Sequence, residues 1–159
     1  MKFFTVVQNV CGGCTMCCKL LGIIDMEPPK PKDVWCRHAQ KGVGCAIYET
    51  RPLSCREYQC LWLQLNMAPE FRPDKIHGTL TATNDGQNIV LHEDTGWPGH
   101  ARYVMRDFIG NFTKSGQRWV AVVCGTSRTL IAREDLLKRV RFDTSDPDPT
   151  KHAIVEDAP

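Results

Sequence analysis

Four short runs in the second half of the chain have the patterns of β-strands: the first two alternate between apolar and polar positions, and the other two are strand-like. The runs cover residues 77–83, 87–92, 118–124 and 128–132. The first two are separated by a turn that contains Asp85-Gly86, a dipeptide favoured in tight hairpin turns. The other two flank Gly125. The pattern therefore predicts two β-hairpins.

Apolar positions spaced three and four residues apart predict helices elsewhere in the chain. Between residues 100 and 114 these positions are Ala101, Val104, Met105, Phe108, Ile109 and Phe112. A shorter helix is predicted around 134–140. Pro52 suits the first position of a helix that we expect to continue to about Asn66. The first ten residues begin with a short apolar run and are predicted to form a strand.

These elements predict an α+β fold. We expect the four strands to form a small antiparallel sheet, with the helix at 100–114 packed on it. No segment rich in Gly, Ser or Pro separates the parts of the chain, so we expect a single domain. Its predicted parts are an irregular and helical cysteine-rich metal module at 1–66 that packs on the sheet, an α+β part at 67–142, and a flexible tail at 143–159. Two domains with a break near 67–75 are the alternative.

Composition and charge exclude some classes of function. The hydrophobic fraction of 42% and charged fraction of 24% are those of an ordinary globular protein. The formal net charge is only +2, and no run of lysine or arginine suggests a nucleic-acid-binding surface. No stretch approaches the ~20 apolar residues that span a bilayer. The N-terminal apolar run ends at Gln8 without a signal-peptide cleavage site, so we expect a cytoplasmic protein that has no membrane partner.

Cysteine usage is the unusual feature of the sequence. The chain has nine cysteines, and all but Cys124 lie within the first sixty residues. The clustered positions are Cys11, Cys14, Cys17, Cys18, Cys36, Cys45, Cys55 and Cys60. A disulfide framework and redox-active dithiols are two explanations, but disulfides require an oxidising compartment. In a reducing cytosol such a cluster predicts metal ligation by all eight thiolates.

Local spacing is compatible with metal ligation. The glycines between Cys11 and Cys14 permit a tight turn that brings both sulfurs to one ion. If a helix begins at Cys14, then Cys14 and Cys18 lie on one face of it. Cys17 and Cys18 diverge by ~100° on such a helix. The adjacent pair therefore suits either two neighbouring metal sites or one ligand with a supporting thiol.

The region after Pro52 places a cysteine and two arginines together. Cys55 is predicted to lie in the first helical turn, where the helix dipole would lower the pKa of its thiol. Arg51 and Arg56 flank it, and their charges would offset the negative charge of a metal–thiolate centre. A solvent-exposed helix start explains these arginines equally well.

Three phrases of the sequence resemble the CxxCxxCC family of YkgJ-like proteins, which are described as zinc- or iron-chelating domains. They are Cys11-x2-Cys14-x2-Cys17-Cys18, Cys45-x-Ile47-Tyr48 and Arg51-Pro52-x2-Cys55-Arg56-x-Tyr58. The resemblance covers about residues 10–65 and implies that these cysteines chelate metal. A flagellin lysine N-methylase shares a similar cluster, but the present chain shows no Gly-rich turn typical of a methyl-donor site.

The metal and the role are open at the level of sequence. Eight cysteines divide into two four-thiolate zinc sites, which slightly favours zinc. The C-x2-C-x2-C run equally resembles the ligands of a [4Fe–4S] cluster. His38 is the histidine nearest in sequence to these ligands, although we expect it not to bind metal. Cys124 is predicted to be a buried structural thiol.

Three roles follow from these metals. A structural or metal-chelating role is the leading expectation, because saturated sites leave no position for a substrate. An iron–sulfur enzyme or electron carrier, for example one in protein modification such as lysine methylation, is the alternative. Thiol redox sensing is the third. The sequence identifies no partner protein.

Overall fold

A computed structural model describes residues 8–142 and 153–155. In chain order the helices are α1 (Met16–Leu20), α2 (Leu53–Glu57), α3 (Leu61–Gln64), α4 (Pro73–Ile76), α5 (His100–Val104), α6 (Arg106–Thr113) and α7 (Glu134–Leu137). The strands are β1 (Ala39–Gln40), β2 (Gly44–Cys45), β3 (Gly78–Ala82), β4 (Ile89–Glu93), β5 (Trp119–Cys124), β6 (Ser127–Ala132), β7 (Val140–Phe142) and β8 (Ala153–Val155). Short 3₁₀ helices occupy Tyr48–Thr50 and Pro69–Phe71. The protein is therefore α+β with a small sheet, as predicted.

Both predicted hairpins are present in a central sheet with the strand order β3-β4-β5-β6. In the first hairpin, Leu80 lies opposite Leu91. Its turn is closed by the Thr83 hydroxyl, which accepts a hydrogen bond from the Asn88 N–H at 3.0 Å. In the second hairpin Cys124 lies opposite Ser127, so only two residues form the turn.

The prediction of an all-antiparallel sheet was wrong at its centre. β4 and β5 are parallel, with Ile89 opposite Val120. The chain between them contains α5 and α6, and a parallel pair requires a long crossover connection of this kind. The sheet is therefore mixed, and all five residues of β4 are buried.

The helix predicted at 100–114 is divided into α5 and α6 at Met105, whose backbone leaves the helical region. Its apolar face nevertheless packs on the sheet as predicted, with Met105 and Ile109 buried against Leu91 and Val120. The opposite face of the sheet is covered by α7 and β7 through Leu136 and Val140. The core thus consists of two apolar layers, one on each face of the sheet.

The chain ends are described only in part. The predicted N-terminal strand lies outside the described residues except for positions 8–10. The predicted flexible tail also lies mostly outside them. Its three described residues, 153–155, form β8, which pairs antiparallel with β7. The short helix predicted around 134–140 is present as α7, and β7 begins at Val140. Within the described part of the chain, no helix has both the length and the apolarity to cross a membrane.

The cysteine-rich module packs on the edge strand β3 and is held there by polar side chains. The Tyr58 hydroxyl lies 3.2 Å from the Thr79 hydroxyl and 3.1 Å from the Thr81 hydroxyl. Lys19 of α1 donates a 2.6 Å hydrogen bond to Asp94, which directly follows β4. Because the Asp94 side chain is only 7% exposed, this ion pair is a largely buried link between the module and the sheet.

Replacement of Asp94 by asparagine is expected to lower the free energy of unfolding by about 1–3 kcal/mol at pH 7, since a buried charged hydrogen bond is lost. Burial opposes ionisation of Asp94, but hydrogen bonds from Lys19 and Gly96 and the charge of Lys19 hold its pKa below the usual value. The ionised form therefore stabilises the fold above the unfolded pKa of about 3.9, and this contribution is lost as the pH falls through the folded pKa.

Urea denaturation of wild type and Asp94→Asn at pH 7 and pH 3 measures this effect. The two proteins should differ most at pH 7, and the gap between them should narrow at pH 3, below the unfolded pKa of Asp94. Asp135→Asn is the control, since the ion pair of Asp135 with Arg133 is largely exposed and should contribute nothing measurable. An equal gap between wild type and Asp94→Asn at both pH values would contradict the expectation.

Candidate metal centre

Residues of the module, together with Pro73 and Thr79, line a cavity of about 480 Å³. Its wall contains all eight cysteines that the sequence predicted as metal ligands: Cys11, Cys14, Cys17, Cys18, Cys36, Cys45, Cys55 and Cys60. Three of them, Cys14, Cys36 and Cys60, are buried, and the other five are half-buried. All nine cysteines of the chain are free thiols. The fold thus collects thiols from across fifty residues of sequence around one space.

A tight turn positions the first two thiols, as the sequence predicted. The Cys14 N–H donates to the Cys11 carbonyl at 3.0 Å, and Gly12 adopts the positive φ of +48° that this turn requires. Gly13 faces the carbonyl oxygen of Gly42, and a Cβ on Gly13 would lie 2.5 Å from that oxygen. The loop that joins β1 to β2 therefore rests directly on the turn, and this contact holds Cys45 beside the cavity.

Helix α1 presents the adjacent pair Cys17 and Cys18. It begins at Met16, so the conditional prediction of a helix that starts at Cys14 was wrong, and Cys14 precedes the helix. The Cys17 thiol donates a hydrogen bond to Cys18, which raises the pKa of Cys17. The same hydrogen bond, aided by the charges of Lys30 and Arg51, lowers the pKa of Cys18 to about 7. Cys18 is thus poised as a thiolate, whereas burial raises the pKa of Cys14 to about 11.

A long loop after α1 brings Cys36 back to the helix. The Cys36 N–H donates to the Cys18 carbonyl at 2.9 Å. The Cys36 side chain is buried with Ile23 and Met26, and Cys18 and Cys55 pack against the same cluster. Apolar packing therefore fixes these three thiols relative to one another.

The chain between Cys55 and Cys60 breaks the helix that was predicted from Pro52 to Asn66. Tyr58 and Cys60 are extended, and α2 and α3 lie on either side of them. On a continuous helix Cys55 and Cys60 would point about 140° apart, because successive residues rotate by ~100°. The break allows both thiols to line the cavity and turns Tyr58 toward β3.

The expected effect of the helix start on Cys55 was wrong. Cys55 lies in the first turn of α2, as predicted, but burial raises the pKa of its thiol, and the charges of Cys18 and Cys36 act in the same direction. Instead, the side chain of Asp25 lies at the N-terminus of α2 and accepts a 2.9 Å hydrogen bond from the Ser54 N–H. A five-residue helix with an occupied N-terminus does little to stabilise a second anion.

Arginines contribute the permanent positive charge of the wall. Arg51 and Arg56 both line the cavity, as the sequence suggested. The Arg51 guanidinium stacks on the Tyr48 ring at 3.7 Å and lies within electrostatic range of Cys11 and Cys45. Its Nε is buried and has no hydrogen-bond partner among the described residues. An anionic centre in the cavity would supply an acceptor for this group.

Lys30 is a residue of the site that the sequence analysis missed. It is only 6% exposed. Its Nζ donates to the carbonyl of Leu21, to that of Lys19 at 3.2 Å and to that of Pro31 at 2.8 Å. Burial lowers the pKa of Lys30, whereas the charges of Cys36 and Cys18 oppose this shift. A single lysine in a polar loop gives no sequence signal, because only the fold brings it behind the cavity.

The donor chemistry of the wall fits a soft metal centre. Thiolates bind zinc, copper(I) and iron–sulfur clusters, and here they are accompanied by cationic arginines. His38 also lines the cavity, and its Nε2 accepts a 3.3 Å hydrogen bond from Arg37. Within the described residues, no three Cys, His, Asp or Glu side chains are placed around a common point suitable for one ion.

Cys124 lies away from the cavity, at the end of β5. It is half-buried, less than was predicted, and its Sγ lies 3.9 Å from the Asp94 carbonyl oxygen. Glu93 and Asp94 also lie at this end of the sheet, where Glu93 is opposite Cys124. Glu93 caps the N-terminus of α5 by accepting the Gly99 N–H at 3.0 Å and the Arg102 N–H at 2.9 Å.

In comparisons with protein-family models, with curated proteins and with solved structures, the chain matches none of them. The resemblance to the CxxCxxCC family therefore stays a prediction from the cysteine pattern.

Proposed function

We propose that this protein binds a polynuclear iron–sulfur centre through its eight cavity thiolates and functions as an electron carrier. The observation that carries the proposal is the common cavity, since eight thiols from separate loops and helices line one space of about 480 Å³. An iron–sulfur centre supplies one-electron transfer when it is bound. The chain's own residues bind it, offset its charge and control its exposure to solvent.

The size of the cavity favours a polynuclear group over single ions. In a closed zinc site four sulfurs lie about 2.3 Å from one ion and leave no void between them. One water molecule needs about 10–15 Å³ of comparable volume, so 480 Å³ gives room for several heavy atoms. The thiols would reach such a group from the wall without first having to converge on one point.

Charge balance supports the same assignment. Several thiolates around one centre create a net negative charge that needs nearby cations. Arg51 and Arg56 supply two charges in the wall, and Lys30 supplies a third from behind Cys18 and Cys36. The buried Arg51 Nε would find its acceptor in a sulfur of the centre or of a bound thiolate.

Partial exposure of the site supports a role in electron transfer. Five of the eight thiols are only half-buried, so a centre held by them would lie close to the surface. Val10 and Tyr48 at the cavity are 73% and 48% exposed, and Val43 is 71% exposed. Small apolar contact surfaces of this kind suit the weak, transient encounters of redox proteins.

Analysis of iron, acid-labile sulfide and zinc in protein purified without oxygen and without a metal-binding tag tests the proposal. We expect iron and sulfide in equal amounts and a visible absorption that dithionite bleaches reversibly. Cys14→Ala and Cys55→Ala should each lower the iron content, because each removes a cavity thiolate. Cys124→Ala is the matched control and should retain the wild-type iron content. A colourless protein free of iron would refute the proposal.

Zinc is the second candidate, and the number of cavity thiols favours it. Eight thiolates make two four-coordinate sites, and closed sites of this type stabilise folds. In that case the same analysis would give about two zinc ions per chain without iron or sulfide. The protein would then have a structural or metal-chelating role.

Membership of the CxxCxxCC family is part of the same proposal and is supported by the cysteine phrases alone. A cytoplasmic location is likewise proposed, because nine free thiols persist best in a reducing compartment. A role in protein modification such as lysine methylation is supported only by the resemblance.

A further inference from the structure

We propose that an acidic partner protein binds to the exposed rim of the cavity and exchanges electrons with the centre there. The rim consists of Val10, Lys41, Val43, Tyr48 and Arg51. One electron passes between the centre and the redox group of the partner, so that one is oxidised as the other is reduced. The inference rests on the proposed electron-carrier function. It adds the place where the partner binds and the charge of the partner's surface.

The apolar part of the rim is exposed at the edge of the cavity. Val10 and Tyr48 line the cavity, and Val43 lies in the turn between β1 and β2. That turn rests on Gly13, since a Cβ on Gly13 would lie 3.8 Å from the Val43 nitrogen. The two valines therefore lie close together, and more than two thirds of each is exposed. Exposed apolar side chains that are grouped in this way are typical of protein interaction sites.

Tyr48 and Arg51 form a preorganised pair within the rim. The Arg51 guanidinium lies 3.7 Å from the centre of the Tyr48 ring. Stacking restricts both side chains before a partner binds, so that less conformational entropy is lost in the complex. Tyrosine and arginine are also the residue types that often dominate the binding energy of interfaces. We therefore assign this pair as the anchor of the interface, where Arg51 would bind a carboxylate of the partner.

The charges around the cavity favour an acidic partner. Among the described residues that line the cavity, none is an aspartate or a glutamate. Arg51 and Arg56 lie in the wall. Arg37 and Lys41 are exposed beside it, and the Arg37 Nε donates a 3.3 Å hydrogen bond to His38 of the wall. The ion pairs of the described residues involve none of these four cations.

Arg37 and Lys41 remain available to a partner when the centre is bound. The charges of the wall arginines offset the negative charge of the centre, whereas Arg37 and Lys41 do not line the cavity. Lys41 belongs to the turn that carries Val43, so a cation lies next to the apolar part of the rim. Complementary charges of this kind steer two proteins into contact and set their orientation.

The composition of the rim favours a protein over a nucleic acid. Nucleic-acid interfaces are more polar and much more positively charged than interfaces between proteins. Here three of the five rim residues are apolar or aromatic, and the formal net charge of the chain is only +2. Complexes of electron-transfer proteins are small and weak, and a rim of a few residues around a half-exposed centre suits them.

Binding of a fluorescently labelled, acidic plant-type ferredoxin to the purified full chain tests the charge of the partner. Fluorescence anisotropy should show binding at about 20 mM salt that weakens about tenfold or more at about 200 mM salt, because salt screens the attraction. A basic cytochrome c should not bind under either condition. This measurement does not depend on which metal the protein holds.

Two double variants of equal net charge test the place of binding. Arg37→Gln/Lys41→Gln removes two cations beside the cavity and should weaken ferredoxin binding by about tenfold at low salt. Lys114→Gln/Arg118→Gln removes two exposed cations that do not line the cavity and should bind ferredoxin as wild type does. Metal content and circular dichroism verify that both variants keep the centre and the fold.

Tyr48→Ala tests the anchor, and Tyr103→Ala is its matched control. Tyr103 is also exposed and also carries a stacked arginine, with the Arg106 guanidinium 4.6 Å from its ring, but it does not line the cavity. We expect Tyr48→Ala to weaken ferredoxin binding by about tenfold or more and Tyr103→Ala to leave it unchanged. Equal binding by the two variants would overturn the assignment of the anchor.

Carbodiimide crosslinking locates the contact directly in the wild-type protein. The reagent joins a lysine amine to a carboxylate of ferredoxin in an amide bond and takes up the water that is lost. Peptide mapping should find ferredoxin linked to Lys41 and not to Lys114. Linkage to Lys114 alone would place the contact elsewhere and overturn the proposed site.

The outcomes separate this inference from the proposed function. An iron–sulfur protein that does not bind ferredoxin at low salt, or that binds it equally in both double variants, would overturn the rim as the binding site and keep the electron carrier. Tighter binding of a single-stranded oligonucleotide than of ferredoxin would overturn a protein partner. A zinc protein that binds ferredoxin through Lys41 would refute the electron carrier and keep the binding surface for an acidic protein.

Discussion

Replacement of Gly13 by alanine is expected to lower the free energy of unfolding by about 1–3 kcal/mol, the usual effect of overpacking. It is also expected to remove most of the metal that we propose the cavity thiols bind. The new Cβ would lie 2.5 Å from the carbonyl oxygen of Gly42 and 3.2 Å from its carbonyl carbon. Both atoms belong to the backbone, so no side-chain rotation relieves the clash. Either the turn between Cys11 and Cys14 opens or the loop withdraws and takes Cys45 with it.

Metal content after anaerobic purification and the urea midpoint measure the two effects of Gly13→Ala. The matched control is Gly110→Ala in α6, where an added Cβ meets nothing within 4 Å. Because alanine favours a helix over glycine by up to ~1 kcal/mol, this control should be slightly more stable than wild type. Its metal content should be unchanged. Wild-type metal content and stability in Gly13→Ala would show that the loop does not rest on the turn.

Replacement of Glu93 by glutamine is expected to have the largest effect on the sheet and to lower the free energy of unfolding by about 2–4 kcal/mol. The Glu93 side chain is fully buried and forms a 3.1 Å ion pair with Arg102. It also accepts the backbone N–H groups of Gly99 and Arg102 at the start of α5. A glutamine keeps only one acceptor oxygen, directs an amide at N–H donors and leaves the Arg102 charge without its partner.

Chemical denaturation of Glu93→Gln at pH 7 measures this loss. The control is Glu134→Gln, since the ion pair of Glu134 with Lys138 is 87% and 73% exposed at its two side chains. An exposed pair of this kind contributes almost nothing, so the control should unfold with the wild-type midpoint. Equal midpoints for Glu93→Gln and wild type would mean that the cap of α5 is not needed for the fold.

Periodicity predicted the elements of the sheet well because their signals are local. The turn with Asp85-Gly86 and the turn at Gly125 each join strands that are neighbours in sequence, and both hairpins formed. The pairing of β4 with β5 is not local, and it was wrongly taken as antiparallel. The signal was nevertheless present, because a helix between two strands of one sheet is typical of a parallel crossover.

The cysteine pattern identified which thiols line the cavity but not how the chain positions them there. The common cavity of all eight thiols agrees with the clustering in sequence. The sequence analysis missed the break at Tyr58 in the predicted helix, because no residue between Pro52 and Asn66 was recognised as an interruption of the helical pattern. The break coincides with tertiary contacts of the Tyr58 hydroxyl with Thr79 and Thr81, which are not visible in the local sequence. Lys30 was missed for the same reason.

The link from Tyr58 to β3 also sets an order of events during synthesis. The cavity thiols precede β3 along the chain, and Thr79 itself lines the cavity. At a translation rate of about 5–20 residues per second, the roughly twenty residues between Cys60 and Thr81 take about 1–4 s to add. Thr81 therefore leaves the ribosome the same interval after Cys60, and for that time the thiols are outside without the strand that orients Tyr58. Metal captured at that stage would meet an incomplete wall, so its release rate should fall once β3 has formed.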